Sequence, residues 1–151
     1  MTWVEDLPDF TDYSMEGRTY RYYRGEPLYP FGSGLSYARF RLSGAKYEGG
    51  AVTLTVSNES GIDADEVVQV YAAYDSPIAP PNPVLCGFAR VRVSAGGSRS
   101  VSVPIDRRAF TLVNEEGVRV DAAPSRLFAG GCAPDPVSRR MTGSDVLEIA
   151  L

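Results

Sequence analysis

A chain of 151 residues with a formal net charge of −4 is long enough for one well-packed domain, and its charge has the wrong sign for a nucleic-acid binder or for adsorption to an anionic membrane surface. It has no histidine and only two cysteines, Cys86 and Cys132, which removes the usual general base, the Ser-His and Cys-His nucleophile pairs and a zinc centre. No apolar run approaches the roughly 20 residues of a membrane span, and no cofactor is expected.

The acidic start Met1-Thr-Trp-Val-Glu-Asp6 lacks the apolar core of a signal peptide. The first 37 residues hold no long alternating run; Leu7-Pro-Asp-Phe-Thr-Asp-Tyr13 and Pro27-Leu-Tyr-Pro-Phe-Gly-Ser-Gly-Leu-Ser-Tyr37 are rich in proline, glycine and aromatics. Disordered segments are poor in aromatics, so these rings are expected to lie against a surface. Gly32 and Gly34 bracket Ser33 and permit a corner with positive φ. Phe31, Leu35 and Tyr37 then alternate and are expected to pin the incoming chain. Were the arm extended, Tyr20 and Tyr22 would share a face with Arg24, with Arg21 and Tyr23 opposite.

From about Ala38 the pattern changes to short strands separated by turn residues. Gly50–Ser57 alternates strictly, with Val52, Leu54 and Val56 on one face. Asn58-Glu-Ser-Gly61 reads as a turn. In Glu66–Tyr74, Val68, Val70, Ala72 and Tyr74 share one face while Val67 and Tyr71 flank Gln69 on the other, the mark of a central strand. Asp75–Pro83 holds four prolines and reads as a stiff loop. Further strands are expected at Leu85–Val93, Arg99–Ile105, Val118–Asp121, Ser125–Ala129 and Val146–Leu151. Ala95-Gly-Gly-Ser98 reads as a hairpin joining the first two of these, and Asp106 as the cap of one helical turn. No window holds a convincing helical period, so the choice is a sandwich or a barrel.

Gly17-Arg-Thr-Tyr-Arg-Tyr22, leading into Pro27–Tyr37, resembles the join near the C-terminus of glycoside hydrolase family 3 enzymes. The preceding Leu7–Met15 is similar to the β-xylosidase and β-glucosidase members. Downstream, Asp65-Glu-Val-Val-Gln-Val-Tyr71, Gly87-Phe-Ala-Arg-Val91 and Ala129-Gly-Gly-Cys-Ala-Pro-Asp135 resemble strands and a turn of that family's C-terminal domain. Ser33 and Cys86 depart from it, standing where the family usually has Tyr and, nearby, Lys. The resemblance implies an all-β fold: a fibronectin type III-like (immunoglobulin-like) β-sandwich over residues 38–151, with residues 1–37 as an extended lead-in from catalytic domains. It also implies that Met1 is an artificial or gene-model start, just inside the join.

A family 3 parent would remove terminal β-linked glucose or xylose with retention, which needs two carboxyl groups about 5–5.5 Å apart. The resemblance places both in regions that this chain does not match, so no catalytic residue carries over. What carries over is a join, with Arg18, Tyr20, Arg21, Tyr22, Tyr23, Tyr29, Phe31 and Tyr37 as candidate interface residues toward the catalytic domains. The same tyrosines are the motive for the alternative, a module that binds plant polysaccharide. Arg18, Arg21 and Arg24 are expected to pair with Glu16, Glu26 or a neighbouring domain and to stack on tyrosine. Asp63, Asp65 and Glu66 are expected in a solvated loop, with calcium as the sharper alternative. Cys86 and Cys132 are buried thiols or one disulfide. The compartment, cytoplasmic, periplasmic or secreted, depends on sequence preceding residue 1.

Overall fold

The computed structural model describes residues 4–144 and 146–151; the expectation about Met1 lies outside them. Nine strands occur among the described residues: β1 (Phe40–Glu48), β2 (Ala51–Asn58), β3 (Ala64–Ala73), β4 (Val84–Val93), β5 (Ser98–Pro104), β6 (Thr111–Val113), β7 (Arg119–Asp121), β8 (Arg126–Gly130) and β9 (Val146–Ile149). They form an antiparallel sheet in the order β1-β2-β5, a second in the order β4-β3-β8-β9, and a small β6-β7 hairpin. This is a sandwich, not a closed barrel.

The strict alternation of β2 turns Val52, Leu54 and Val56 inward, where they are buried with Leu42 and Val103 of the same sheet. The facing sheet contributes Val68, Val70, Ala72, Val91, Val93, Leu127, Ala129 and Ile149. Burying each of these aliphatic side chains stabilises the fold by about 1.5–3 kcal/mol before chain entropy is set against it. β3 lies between β4 and β8, as expected of a strand apolar on both faces. Asn58 closes the end of β2: its buried amide donates to the carbonyls of Ile62 (2.8 Å) and Val93 (3.1 Å), and its oxygen accepts from Ser60 N–H (2.9 Å). One side chain thereby ties the two sheets together at this end.

Several expectations need correction. Ala95–Ser98 turns the chain, with Gly97 N–H donating to the Ser94 carbonyl (2.9 Å), but it does not close a hairpin. β4 pairs with β3, and β5 pairs with β2, so the turn carries the chain from one sheet to the other. Short turns that switch sheets use the same glycines as hairpin turns, and composition does not distinguish them. Asp106 does cap a turn of 3-10 helix (Arg107–Phe110), accepting from Arg108 N–H (2.9 Å). Beside a 3-10 turn at Val4–Asp6, two α-helical segments were not expected: α1 (Thr19–Tyr22) and α2 (Pro136–Thr142). α2 is too short to show a period, yet its end signals are present. Asp135 caps it, Pro136 opens it, and Gly143 ends it at φ 64°. Cys86 and Cys132 are free and buried, so the disulfide alternative falls; burial pushes the Cys86 thiol up to about 12 and the Cys132 thiol up as well.

Leu127 is wholly buried at the centre of the core, between β3 and β9. Leu127→Ala is expected to lower unfolding stability by about 2–5 kcal/mol, read from the midpoint of urea denaturation at unchanged slope.

Candidate functional site

No cluster of three or more metal-ligating side chains occurs among the described residues. The densest polar construction joins the lead-in to the sandwich, and it is built around Gln69. Gln69 points to the outer face of β3, where it is nonetheless buried. Its Nε2 donates to the carbonyls of Gly32 (2.9 Å) and Gly131 (3.1 Å), and its Oε1 accepts from the Tyr71 hydroxyl (2.6 Å). Three parts of the chain, the lead-in, β3 and the connection after β8, thus meet on one amide. Tyr71 is fully buried, and burial pushes its hydroxyl well above the ordinary phenol range. At this point only glycine fits: Gly32 has φ +75°, and a Cβ there would collide with Gln69 Oε1 and lie 2.6 Å from the Tyr71 hydroxyl.

Aromatic packing reinforces the lock. Phe31 stacks on Tyr20 with centroids 3.8 Å apart and planes 9° off parallel, and meets Tyr71 edge-on at 6.5 Å. The Tyr20 hydroxyl accepts from Leu85 N–H (3.2 Å) at the start of β4. Arg21 lies over the Tyr20 ring at 5.9 Å.

A second anchor lies in the proline-rich loop. Asn82 Nδ2 donates to the carbonyls of Tyr20 (2.8 Å) and Tyr23 (2.7 Å), and Asn82 N–H donates to the Arg21 carbonyl (3.2 Å). A short helical turn leaves its last carbonyls without partners, and Asn82 supplies them. The turn begins under strain, because Thr19 has φ 58°, a region that β-branched residues rarely occupy.

The candidate interface residues therefore separate into two groups. Tyr20, Phe31 and Arg21 come together in the clamp on the chain's own sandwich. Tyr22 and Tyr23 are half-buried beside it, with the Tyr23 hydroxyl donating to Asp6 Oδ2 (2.5 Å), a bond that pushes the phenol up to about 12. Arg18 donates to the Asp12 carbonyl. Tyr29 and Tyr37 face outward. The helical turn of α1 overturns the extended arrangement of Tyr20, Tyr22 and Arg24. Leu35 and Tyr37 are about fully exposed, at 106% and 99%, so of the three expected pins only Phe31 holds.

The charges also differ from expectation. Glu26 pairs with Arg140 of α2, not with a lead-in arginine. Asp63 stays exposed in the loop before β3, as expected, whereas Asp65 does not. Asp65 lies on β3, where it pairs with Arg90 and lies 3.7 Å from Arg92, which is also 3.7 Å from Asp63. Glu66 turns inward and burial raises its carboxyl to about 7. Sequence reasoning missed Gln69 and Asn82, and it placed Glu66 in a solvated loop and not on β3. One signal was available for Gln69: a polar residue between Val67 and Tyr71 in a central strand must find partners when buried.

Comparison with known proteins fits this geometry. The fibronectin type III-like domain family matches residues 66–131, the stretch that holds most of β3, all of β4, β5 and β8, and the Gln69, Tyr71 and Gly131 side of the lock. These residues are a fibronectin type III-like domain that matches the C-terminal region of family 3 glycoside hydrolases. The chain is 39% identical over 129 residues to a probable β-glucosidase K of Emericella nidulans, covering 75% of this chain and 15% of that one. It is 31% identical over 128 residues to a xylan 1,4-β-xylosidase of Xylanibacter ruminicola, covering 81% and 15%. In three dimensions it matches a family 3 β-glucosidase of Bifidobacterium adolescentis with a TM-score of 0.60 at 34% identity, covering 80% and 18%. This chain thus spans less than a fifth of the length of each of these three enzymes.

Gln69→Leu removes the donor to Gly32 and Gly131 and the acceptor of Tyr71 together. The expected cost is about 1–3 kcal/mol, and limited proteolysis is expected to cut the lead-in between Gly17 and Tyr37 before the sandwich. Gly32→Ala is expected to give the same cleavage.

Proposed function

We propose that this chain is the non-catalytic C-terminal structural domain of a family 3 β-glycosidase, and that its lead-in both couples it to the catalytic domains and fixes its orientation against them. The parent's reacting carboxyls lie outside these residues, and its substrate is a terminal β-linked glucose or xylose. One observation carries this reading. The lead-in is locked to the sandwich through Gln69 and Asn82, while Phe10 and Tyr13 project from it almost wholly exposed. Apolar side chains held outward on an anchored segment are suited to covering by a second body. The short match to much longer glycosidases supports the same reading.

Polysaccharide binding by the tyrosines is the weaker alternative, because Phe31 and Arg21 already lie against the Tyr20 ring. Co-expression with the catalytic domains of a family 3 enzyme is expected to give a stable, active complex. Phe10→Ser with Tyr13→Ser is expected to weaken it at least tenfold, by loss of about 1.4 kcal/mol or more of apolar burial. No association, beside an active intact control, contradicts the proposal. Retardation of the isolated chain in xylan or β-glucan gels, abolished by Tyr37→Ala, would favour sugar binding instead.

A further inference from the structure

A groove of about 1040 Å³ opens between residues 32–42 and one end of the sandwich. Both ends of the segment above it are tied down. At one end Gly32 is held by Gln69, and Ser33 Oγ donates to the Pro30 carbonyl (2.7 Å). At the other, Arg39 N–H donates to Ser60 Oγ (2.7 Å) and the Arg39 carbonyl accepts from Glu59 N–H (2.9 Å). Between these anchors Leu35 and Tyr37 stand in solvent, although the groove beside them, lined mostly by polar residues and glycines, also presents Phe40, Leu42, Val67 and Met141.

Glu66 also lines this groove, in the inward register of Val68, Val70 and Ala72. Opposite lies Gly131, whose missing side chain leaves room for the carboxyl: a Cβ there would be 2.8 Å from Glu66 Oε1 and 3.5 Å from Ser144 Oγ. Nothing in the clamp or in the proposed interface uses this carboxyl.

We propose that residues 33–38 are a strap that closes its apolar side chains over the groove when Glu66 carries a proton and stands off when Glu66 is ionised. A charged carboxylate holds water in the groove, and covering it with Leu35 and Tyr37 would strip that water away. A neutral carboxyl removes most of that cost. Burial already places Glu66 near pH 7, with the Val67 N–H working the other way. Among the described residues, the charged groups lining the groove are Arg39 and Arg41 from the strap end and β1, Glu59 from the turn after β2, and Asp65 from β3. Arg41 bonds Glu59 at 2.6 Å, and Asp65 is engaged with Arg90 and Arg92. From the β8 to α2 connection the neighbouring titratable group is the Cys132 thiol, which burial keeps protonated.

The sign follows from the raised folded value. Relative to an unfolded Glu near 4.5, the folded state binds the extra proton between about pH 4.5 and 7. The stability this contributes is complete below pH 4.5 and is lost as pH rises through 7. Covering the carboxyl raises its value further, so the closed strap is favoured on the acid side. Each unit of that further rise makes closure about tenfold less favourable above both values.

The test needs only the full chain, so its outcome is independent of any catalytic partner. Amide hydrogen exchange at pH 5.5 and 8.5, expressed as protection factors, is expected to show residues 33–38 losing protection about tenfold or more at the higher pH. Glu66→Gln is expected to keep that protection at pH 8.5 and to melt higher than the parent chain there, but not at pH 5.5. Leu35→Ser with Tyr37→Ser alters two exposed positions, leaves the fold intact, and is expected to abolish the protection at pH 5.5. Equal protection at both pH values, a pH response retained in Glu66→Gln, or no effect of the strap substitutions would each overturn the proposal.

Discussion

The amide of Gln69 is the contact on which the rest of this structure depends. It is buried on the outer face of a strand, where a polar group without partners would cost free energy, and three bonds satisfy it. Those bonds do not come from one element. They draw in the Gly32 carbonyl from the lead-in, the Gly131 carbonyl from beyond β8 and the hydroxyl of Tyr71, so the strand cannot be satisfied unless the lead-in is docked. The aromatic stack of Tyr20 on Phe31 and the Asn82 cap of α1 then add area and direction.

This constraint makes the lead-in part of the folded body and not a tether. A tether would let the sandwich swing, whereas a clamp fixed at Phe31–Gly32 and again at Tyr20–Tyr23 sets the line along which the chain arrives. Phe10 and Tyr13, left outside the clamp, then face a fixed direction. The proposed role as a supporting domain of a larger glycosidase makes use of such a fixed arrival. In that proposed role the polar clamp holds the lead-in, and the apolar exterior meets the catalytic body.

The sandwich was legible because its signals are local and periodic. β2 declares itself through Val52, Leu54 and Val56, and β3 declares its central place through apolar residues on both faces. The Ala95–Ser98 turn was misread because sheet pairing is decided by partners forty or more residues away, as in Val56 with Arg99. α1 and α2 were missed because four and seven residues are too few for a period, even where Asp135, Pro136 and Gly143 mark the ends. At the candidate site, the aromatics were visible as a class, but which rings turn inward was not. That choice rests on Gln69 and Asn82, single polar residues whose partners are set only by the tertiary fold.

A variant beginning at Ala38 tests the central claim most directly, by urea denaturation beside the full chain. If the lead-in is integral, the shortened chain unfolds at lower urea and with a smaller slope, because Gln69 and Tyr71 lose their cover and less surface is buried on folding. Equal midpoint and slope in the two chains would contradict the account, since the lead-in would then be a tether.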